Sequence, residues 1–309
     1  DSTAILDEDH GQNLCGLGNL ATGTGCTGIW FESNGAVNCT DNMTSACTGC
    51  KEIITCEAQQ DGCHDDYREL ATSIAASEGN QEFIVCPDTH FALQTQDQPL
   101  SIWSSRITIK CGKEGMNTNN CTISGGNVQL SINGSVTGVR IEGMTFIGSN
   151  ESSIAALGDE KSDVTVHDCS FRGHTGRGVI LVYNPTNNTF MSRRFLQSNN
   201  LPDRHDENAM RLMIDLCKFE NNSVQVSCVG NLGGTVETFR SEFTGNNGEV
   251  GAIMSVFESN LSVVESCFIA NTGNTSGSIL VQEGSRMLEQ TGNFGAENVV
   301  QFGDCTDIL

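Results

Sequence analysis

Cations are scarce in this 309-residue chain: 16 Lys and Arg stand against 38 Asp and Glu, for a formal net charge of −22. Such a surface repels polyanions, so neither nucleic acid nor insertion into an anionic membrane is expected. Aromatics with a polar edge are fewer still, Trp30, Trp103, Tyr67 and Tyr183 being the whole set of Trp and Tyr. That leaves little from which to build a platform for stacking sugars. No run of 18 apolar residues occurs, so no membrane-spanning helix is expected. Sustained 3.6-residue periodicity is missing as well, which excludes a solenoid of helices.

What is abundant is glycine, with 34 residues, and a recurring phenylalanine. Phe146, Phe171, Phe195, Phe219, Phe243, Phe268 and Phe294 follow one another at intervals of 25, 24, 24, 24, 25 and 26 residues. Seven positions before them the residue is apolar in Val139, Val164, Leu212, Val236, Leu261 and Met287, with Asn188 the exception. Five positions before, it is apolar in Ile141, Val166, Phe190, Ile214 and Val263, with Thr238 and Glu289 departing. Apolar residues two apart, repeated at one place in each period, describe a strand with one buried face. Each period is therefore read as one coil of two or three short strands, and the array as a right-handed parallel β-helix of about 24 to 25 residues per coil. Seven rows at strand spacing make a rod segment of roughly 34 Å. Soon after most of the phenylalanines comes Asn, at 150, 199, 222, 246, 271 and 298. These are read as corner residues that tolerate the left-handed conformation and bond the backbone through their amides. His174 takes the place in the Phe171 row and is read as a corner residue standing in for Asn rather than as a catalytic base.

Fifteen cysteines indicate an oxidising compartment. Eight lie early, at Cys15, Cys26, Cys39, Cys47, Cys50, Cys56, Cys63 and Cys86. Cys47 and Cys50 with Cys56 and Cys63 supply only one zinc knuckle, so disulfides are expected and no metal or other cofactor. Cys111 and Cys121, ten residues apart across a polar turn, are expected to bridge. Cys169 and Cys217 fall two rows apart in this alignment, about 10 Å, and are expected to be separate buried thiols. N-glycosylation sequons occur at Asn38, Asn42, Asn120, Asn133, Asn150, Asn187, Asn221, Asn260 and Asn274, which with the cysteines point to a secreted, extracellular protein of the cell surface or cell wall. The chain opens at Asp1 without an apolar leader, as expected of a mature chain whose targeting segment has been removed.

Residues 1–62 lack periodicity and read as a disulfide-rich loop extension. Residues 63–82 hold the one convincing helix, Asp65 to Ser77, in which Tyr67, Leu70 and Ile74 share a face and Gly79 closes the end. It is expected to cap the coil beginning near Phe83, within a β-helix of residues 83–309, and so to cover an aggregation-prone edge. A charged insertion, residues 201–208, is expected to project from the rod.

Four segments carry a family resemblance: Phe83-Ile-Val-Cys-Pro-Asp-Thr-His-Phe91, Ile107-Thr-Ile-Lys-Cys-Gly112, Asn120-Cys-Thr-Ile-Ser-Gly-Gly126 and Val139-Arg-Ile-Glu-Gly-Met-Thr-Phe146. They resemble the pectin-lyase-like right-handed parallel β-helix superfamily, and within it secreted algal β-helix glycoproteins of unassigned activity. The resemblance spans roughly residues 65 to 303 and implies architecture. Through its lyases and hydrolases it also implies a polysaccharide enzyme as the alternative reading.

Such an enzyme needs carboxylates in register on neighbouring coils, and no ladder of acids stands among the outward residues. Asp163, His167 and Asp168 with Arg172 and Arg177 form one candidate cluster, read as the polar face of an ordinary coil. Asp203, His205, Asp206 and Glu207 form another, read as a solvated loop. No catalytic residue is assigned. The preferred reading is a secreted, N-glycosylated structural protein that self-associates end to end, as a homopolymer. Two observations motivate assembly: the odd cysteine total, and the lack of an obvious cap after Phe302. A polysaccharide lyase or hydrolase and a glycan-binding adhesive module are the alternatives.

Overall fold

The computed structural model describes residues 30–31, 37–38, 62–158, 161–183, 210–282 and 284–295. The chain divides into two compact units, Asp1–Gly62 and Cys63–Leu309. In the first, Trp30–Phe31 pairs antiparallel with Val37–Asn38. The second is an all-β parallel solenoid of the right-handed type with about seven turns.

Three parallel sheets run its length. The first stacks Cys63–His64, Gln81–Val85, Ile107–Cys111, Val139–Glu142, Asp163–His167, Arg211–Asp215, Thr235–Phe239, Asn260–Val264 and Arg286–Thr291. The second stacks His90–Leu93, Cys121–Gly125, Met144–Ile147, Ser170–Arg172, Lys218–Glu220, Glu242–Thr244, Cys267–Ile269 and Phe294–Gly295. The third stacks Leu100–Ile102, Val128–Asn133, Ser152–Leu157, Gly178–Tyr183, Ser227–Leu232, Ile253–Val256 and Ile279–Val281. Rungs are counted from Gln81, so the fourth begins at Asp163 and the fifth at Arg211.

Parallel pairing in strict register puts like positions over one another, and the core is a set of columns. Val139, Val164, Leu212, Val236 and Leu261 are fully buried in one; Ile141, Val166, Ile214 and Val263 fill the next. Thr238 occupies that second column too, buried, with an Oγ1 that has no hydrogen-bond partner. Phe146, Phe171, Phe219, Phe243 and Phe268 form a continuous stack with centroids 5.1, 4.8, 4.5 and 5.0 Å apart and rings within 12° of parallel. Each such pair contributes about 0.5–1.5 kcal/mol beyond the area it buries.

Two phenylalanines of the sequence array are not in this stack. The rung of Phe171 is bonded directly to that of Phe219 in all three sheets, so no rung containing Phe195 intervenes. Phe195 and the rest of 184–209 lie outside the described residues. At the far end, Leu261 pairs with Met287 but Ser262 with Glu289, so the last strand carries one extra residue at Leu288. The slip turns Glu289 outward and sets Phe294 beside Cys267 instead of over Phe268.

The corners are made by two neighbouring residues with different tasks. At the second corner Gly148, Gly173, Asn221, Gly245 and Ala270 take left-handed φ values of 62°, 66°, 52°, 64° and 51°. The residue after each points inward as a capping group. Asn222 Oδ1 accepts from the His174 backbone N–H (3.0 Å), Asn246 Oδ1 from that of Asn222 (3.1 Å) and Asn271 Oδ1 from that of Asn246 (3.0 Å). Their amide nitrogens donate to the carbonyls of Phe171, Phe219 and Phe243 at 3.1, 2.9 and 2.7 Å. The expectation that these Asn are themselves left-handed is therefore corrected, because that conformation belongs to the preceding residue. Asn150 is corrected likewise: the ladder position is the buried Ser149, and Asn150 is exposed. Asn199 and Asn298 lie outside the described residues.

The first corner repeats the device. Gly143, Asp168, Leu216, Arg240, Glu265 and Gly292 are left-handed, and Met144, Cys169, Cys217, Ser241, Ser266 and Asn293 follow them. Cys217 N–H donates to Ser241 Oγ (3.1 Å), Ser241 N–H to Ser266 Oγ (3.2 Å) and Ser266 N–H to Asn293 Oδ1 (2.8 Å). Cys169 and Cys217 thus belong to adjacent rungs, not to rungs two apart as the inserted Phe195 row implied.

Helix α1 (Tyr67–Ala75) is opened by Asp66, whose side chain accepts from Glu69 N–H at 2.9 Å. It buries Leu70 and Ile74 against Leu100–Ile102 and Cys63–His64, at the first-rung end of the stack. Tyr67 sets its ring edge-on to Phe91 at 5.7 Å and donates to Gln98 O at 2.7 Å. Cys63 is bonded to Cys86 and Cys111 to Cys121, with Cα atoms 5.0 and 5.5 Å apart. Cys15, Cys26, Cys39, Cys47, Cys50 and Cys56 lie outside the described residues.

Asn246→Ala is expected to cost about 2–4 kcal/mol in urea unfolding, because it strands the Asn222 N–H and the Phe219 carbonyl without partners in the core. Thr238→Val, which fills the same column without the unpaired hydroxyl, is expected to raise stability by about 1 kcal/mol in the same assay.

Candidate functional site

Outward residues of the first sheet alternate with the core columns and also stack in register. One outward column runs Lys110, Glu142, His167, Asp215, Phe239. Within it the His167 Nδ1 lies 3.1 Å from Asp215 Oδ2. The Arg240 guanidinium grips both oxygens of Asp215, at 2.7 and 2.8 Å through Nη2 and 3.1 Å through Nε. Arg240 reaches back because it holds the left-handed corner place, φ 42°, one rung on. Around this group lie further pairs: Lys110 with Glu82 at 2.8 Å, Arg140 with Glu142 at 2.7 Å, and Arg211 with Glu237 at 2.6 Å. Glu237 raises the Arg211 pKa by hydrogen bond and charge.

The cluster that sequence proximity suggested is dispersed. Asp168 turns to the loop of the second rung, where its Oδ2 accepts from Asn117 N–H at 2.9 Å. Arg172 lies on the second sheet, and Arg177 follows the second corner, its N–H bonding Glu151 O at 2.7 Å. Asp163 adds to the negative field at Arg211. Only His167 belongs to the observed site, with Asp215 and Arg240, two residues that sequence reading missed. The signal was available: Asp215 stands four residues before Phe219 as His167 does before Phe171. The spurious Phe195 row placed the two a rung too far apart. Asp203, His205, Asp206 and Glu207 lie outside the described residues.

Chemically, an imidazole with a carboxylate on one nitrogen resembles the orienting half of a general-base pair. Yet Asp215 is already engaged on both oxygens, and Glu142, two rungs away at about 9.6 Å by strand spacing, is held by Arg140. Arg240–Asp215, Lys110–Glu82 and Arg211–Glu237 each join neighbouring rungs, whereas Arg140–Glu142 lies within one strand. Comparison of the chain with protein-family models, with curated proteins and with solved structures finds no match. Among the described residues no group of three or more His, Cys, Asp or Glu is gathered to hold a metal, and no helix is long and apolar enough to cross a membrane.

His174, the other histidine of interest, is fully buried in the second-corner ladder. Its Nδ1 accepts from Ser149 N–H at 3.0 Å and its Nε2 lies 3.1 Å from Phe146 O, the two bonds that the Asn amides make one rung on. The imidazole therefore substitutes atom for atom for a carboxamide in its neutral, Nε2-protonated form. Burial pushes its pKa down to about 4, partly opposed by the bond to Phe146 O.

The sequon asparagines sit elsewhere. Asn120, Asn150, Asn221 and Asn274 are exposed, and Asn133 and Asn260 half-buried. The amide of Asn120 donates to Asp88 at 3.0 Å and that of Asn274 to Glu249 at 3.1 Å. Asn38 ends the short strand Val37–Asn38. Asn42 and Asn187 lie outside the described residues.

The pH dependence of stability follows from His174. An unfolded histidine takes up its proton as pH falls through 6.5, whereas the folded one does so only near 4. The stability from the neutral imidazole is complete above pH 6.5 and is lost on acidification toward pH 4, by about 1.4 kcal/mol per unit. In His174→Asn this slope is expected to vanish, so urea midpoints of the two proteins should diverge as pH falls from 6.5 to 4. Parallel pH curves would refute it. Asp215→Asn, by contrast, should shift stability by less than about 1 kcal/mol, since its partners His167 and Arg240 are substantially exposed.

Proposed function

We propose that the protein is a secreted, N-glycosylated structural rod of the cell surface or extracellular matrix, of the pectin-lyase-like β-helix type and akin to secreted algal β-helix glycoproteins. One observation carries the reading: the division of labour among asparagines. Asn222, Asn246, Asn271 and Asn293, whose side chains hold the corners, all lie outside Asn-x-Ser/Thr sequons. Asn120, Asn133, Asn150, Asn221, Asn260 and Asn274 all lie off those ladders, and none is buried. A glycan on a ladder amide would break the core, and the sequons avoid those places. The disulfides Cys63–Cys86 and Cys111–Cys121 suit the same oxidising exterior.

Self-association into a homopolymer belongs to this reading in a narrower form. Helix α1 lies over the first rung, so contact between rods would use the other end of the stack, where Leu288 is 57% exposed. The odd cysteine total no longer argues for a bond between chains. Cys169, Cys217 and Cys228 are buried free thiols, and setting these three aside leaves an even number. The contrasting reading, a polysaccharide lyase or hydrolase, draws on the oriented His167–Asp215 pair, and release of new reducing ends or unsaturated products from a glycan panel would favour it.

Expression in a secreting eukaryotic cell, followed by glycosidase treatment in heavy-oxygen water and peptide mass spectrometry, is expected to mark Asn120, Asn150, Asn221 and Asn274. Unmodified peptides at all nine sequons would overturn the reading. Light scattering and negative-stain images of the same material then test association, a strictly monomeric rod excluding the polymer.

A further inference from the structure

Among the described residues, two free thiols fall in register across one rung boundary. His167 pairs with Asp215 and Ser170 with Lys218, so Cys169 and Cys217, between them, are in register on the fourth and fifth rungs. Both are buried. The Cys169 thiol donates toward the carbonyls of Ile141 and His167 at 3.6 and 3.3 Å, and, after burial, its nearness contributes to the raised pKa of Cys217. Their column is also occupied by Cys121, which is already bonded to Cys111. In-register residues on adjacent parallel strands have Cα atoms about 4.8 Å apart, inside the range a disulfide spans. The bonded pair Cys63–Cys86, at 5.0 Å, shows that this solenoid accepts a bridge at such a separation.

The boundary is also the one at which rung closure is entropically hardest. Successive rungs are otherwise joined, from third sheet to first, by two to five residues, as between Leu232 and Thr235 or between Asn133 and Val139. Between Tyr183 and Arg211 there are 27. A bridge from 169 to 217 encloses that whole connection, where constraining the unfolded chain stabilises most.

We propose that Cys169 and Cys217 are a redox pair that closes to a cross-rung disulfide, stapling the fourth rung to the fifth. The oxidant is a low-molecular-weight disulfide. One cysteine gives up its proton and attacks a sulfur of the oxidant, releasing one thiol; the second cysteine then attacks the mixed disulfide and releases the other. One S–S bond forms and one breaks, two electrons pass to the oxidant, and the two cysteine protons end on the two released thiols. Timing follows from burial. In the folded rod Cys217 donates toward the carbonyls of Val166 and Asp215 at 3.5 and 3.4 Å, and desolvation holds its pKa well above the ordinary thiol value. The thiolate needed for exchange is therefore suppressed once the fifth rung has seated, so the bridge closes during folding or on local opening.

Trypsin separates the two cysteines cleanly, onto 162–172 and 212–218, each with a single cysteine. The full chain is folded in a glutathione redox buffer that keeps Cys111–Cys121 closed, alkylated under denaturing conditions without reductant, digested and weighed. The expected result is these two peptides as one linked species, which separates on reduction. In Cys169→Ser, a change the column tolerates because Ser241 and Ser266 occupy it, Cys217 should be recovered fully alkylated. Separate alkylated peptides from the oxidised wild-type chain, or either cysteine linked elsewhere, would overturn the proposal.

Discussion

Every feature of this rod depends on how backbone groups are satisfied where a parallel sheet must bend. Along a strand, hydrogen bonding to the rungs above and below is automatic; at a corner the chain turns out of the ladder and its N–H and C=O groups are left inside the protein. In the later rungs this chain meets the problem at both corners in one way. A left-handed residue makes the bend, and the next residue turns a short polar side chain inward to cap the neighbouring rung. Because the cap of one rung serves the backbone of the one before, the ladder couples rungs as directly as the strands do.

That constraint decides what the inner polar residues are for. Asn222, Asn246, Asn271, Ser241, Ser266 and Asn293 are buried or nearly so and hydrogen-bonded to backbone, which excludes them from surface chemistry. His174 and Cys217 hold equivalent places, and their usual reactivity is suppressed by the same burial. Function is left to the outside of the rod: the rung-spanning ion pairs of the first sheet and the sequon-bearing corners. A stack of identical columns gives outward residues only the rung spacing with which to converge, and on the first sheet opposite charges pair across it instead of gathering a set of free carboxylates.

Much of the fold was legible because a solenoid writes its register into the sequence. The buried columns at seven and five residues before the phenylalanines are those of the structure, and Thr238, a departure from the pattern, still points inward. The alignment failed where spacing imitated a rung: Phe195 falls 24 residues after Phe171 and 24 before Phe219, yet those two phenylalanines stack directly. That row hid the juxtaposition of His167 with Asp215 and of Cys169 with Cys217, each pair lying on rungs that pair directly.

By itself the sequence determined the architecture, the apolar columns, the helix at the first-rung end and the corner role of His174, since each follows from local periodicity and side-chain chemistry. Tertiary structure alone decided which rung lies on which, where the left-handed residue sits at each corner and which ionic and thiol groups meet. The physical reason is that the entropic cost of joining two stacked rungs grows only slowly with the length of the loop between them, so distance along the chain does not report distance along the rod.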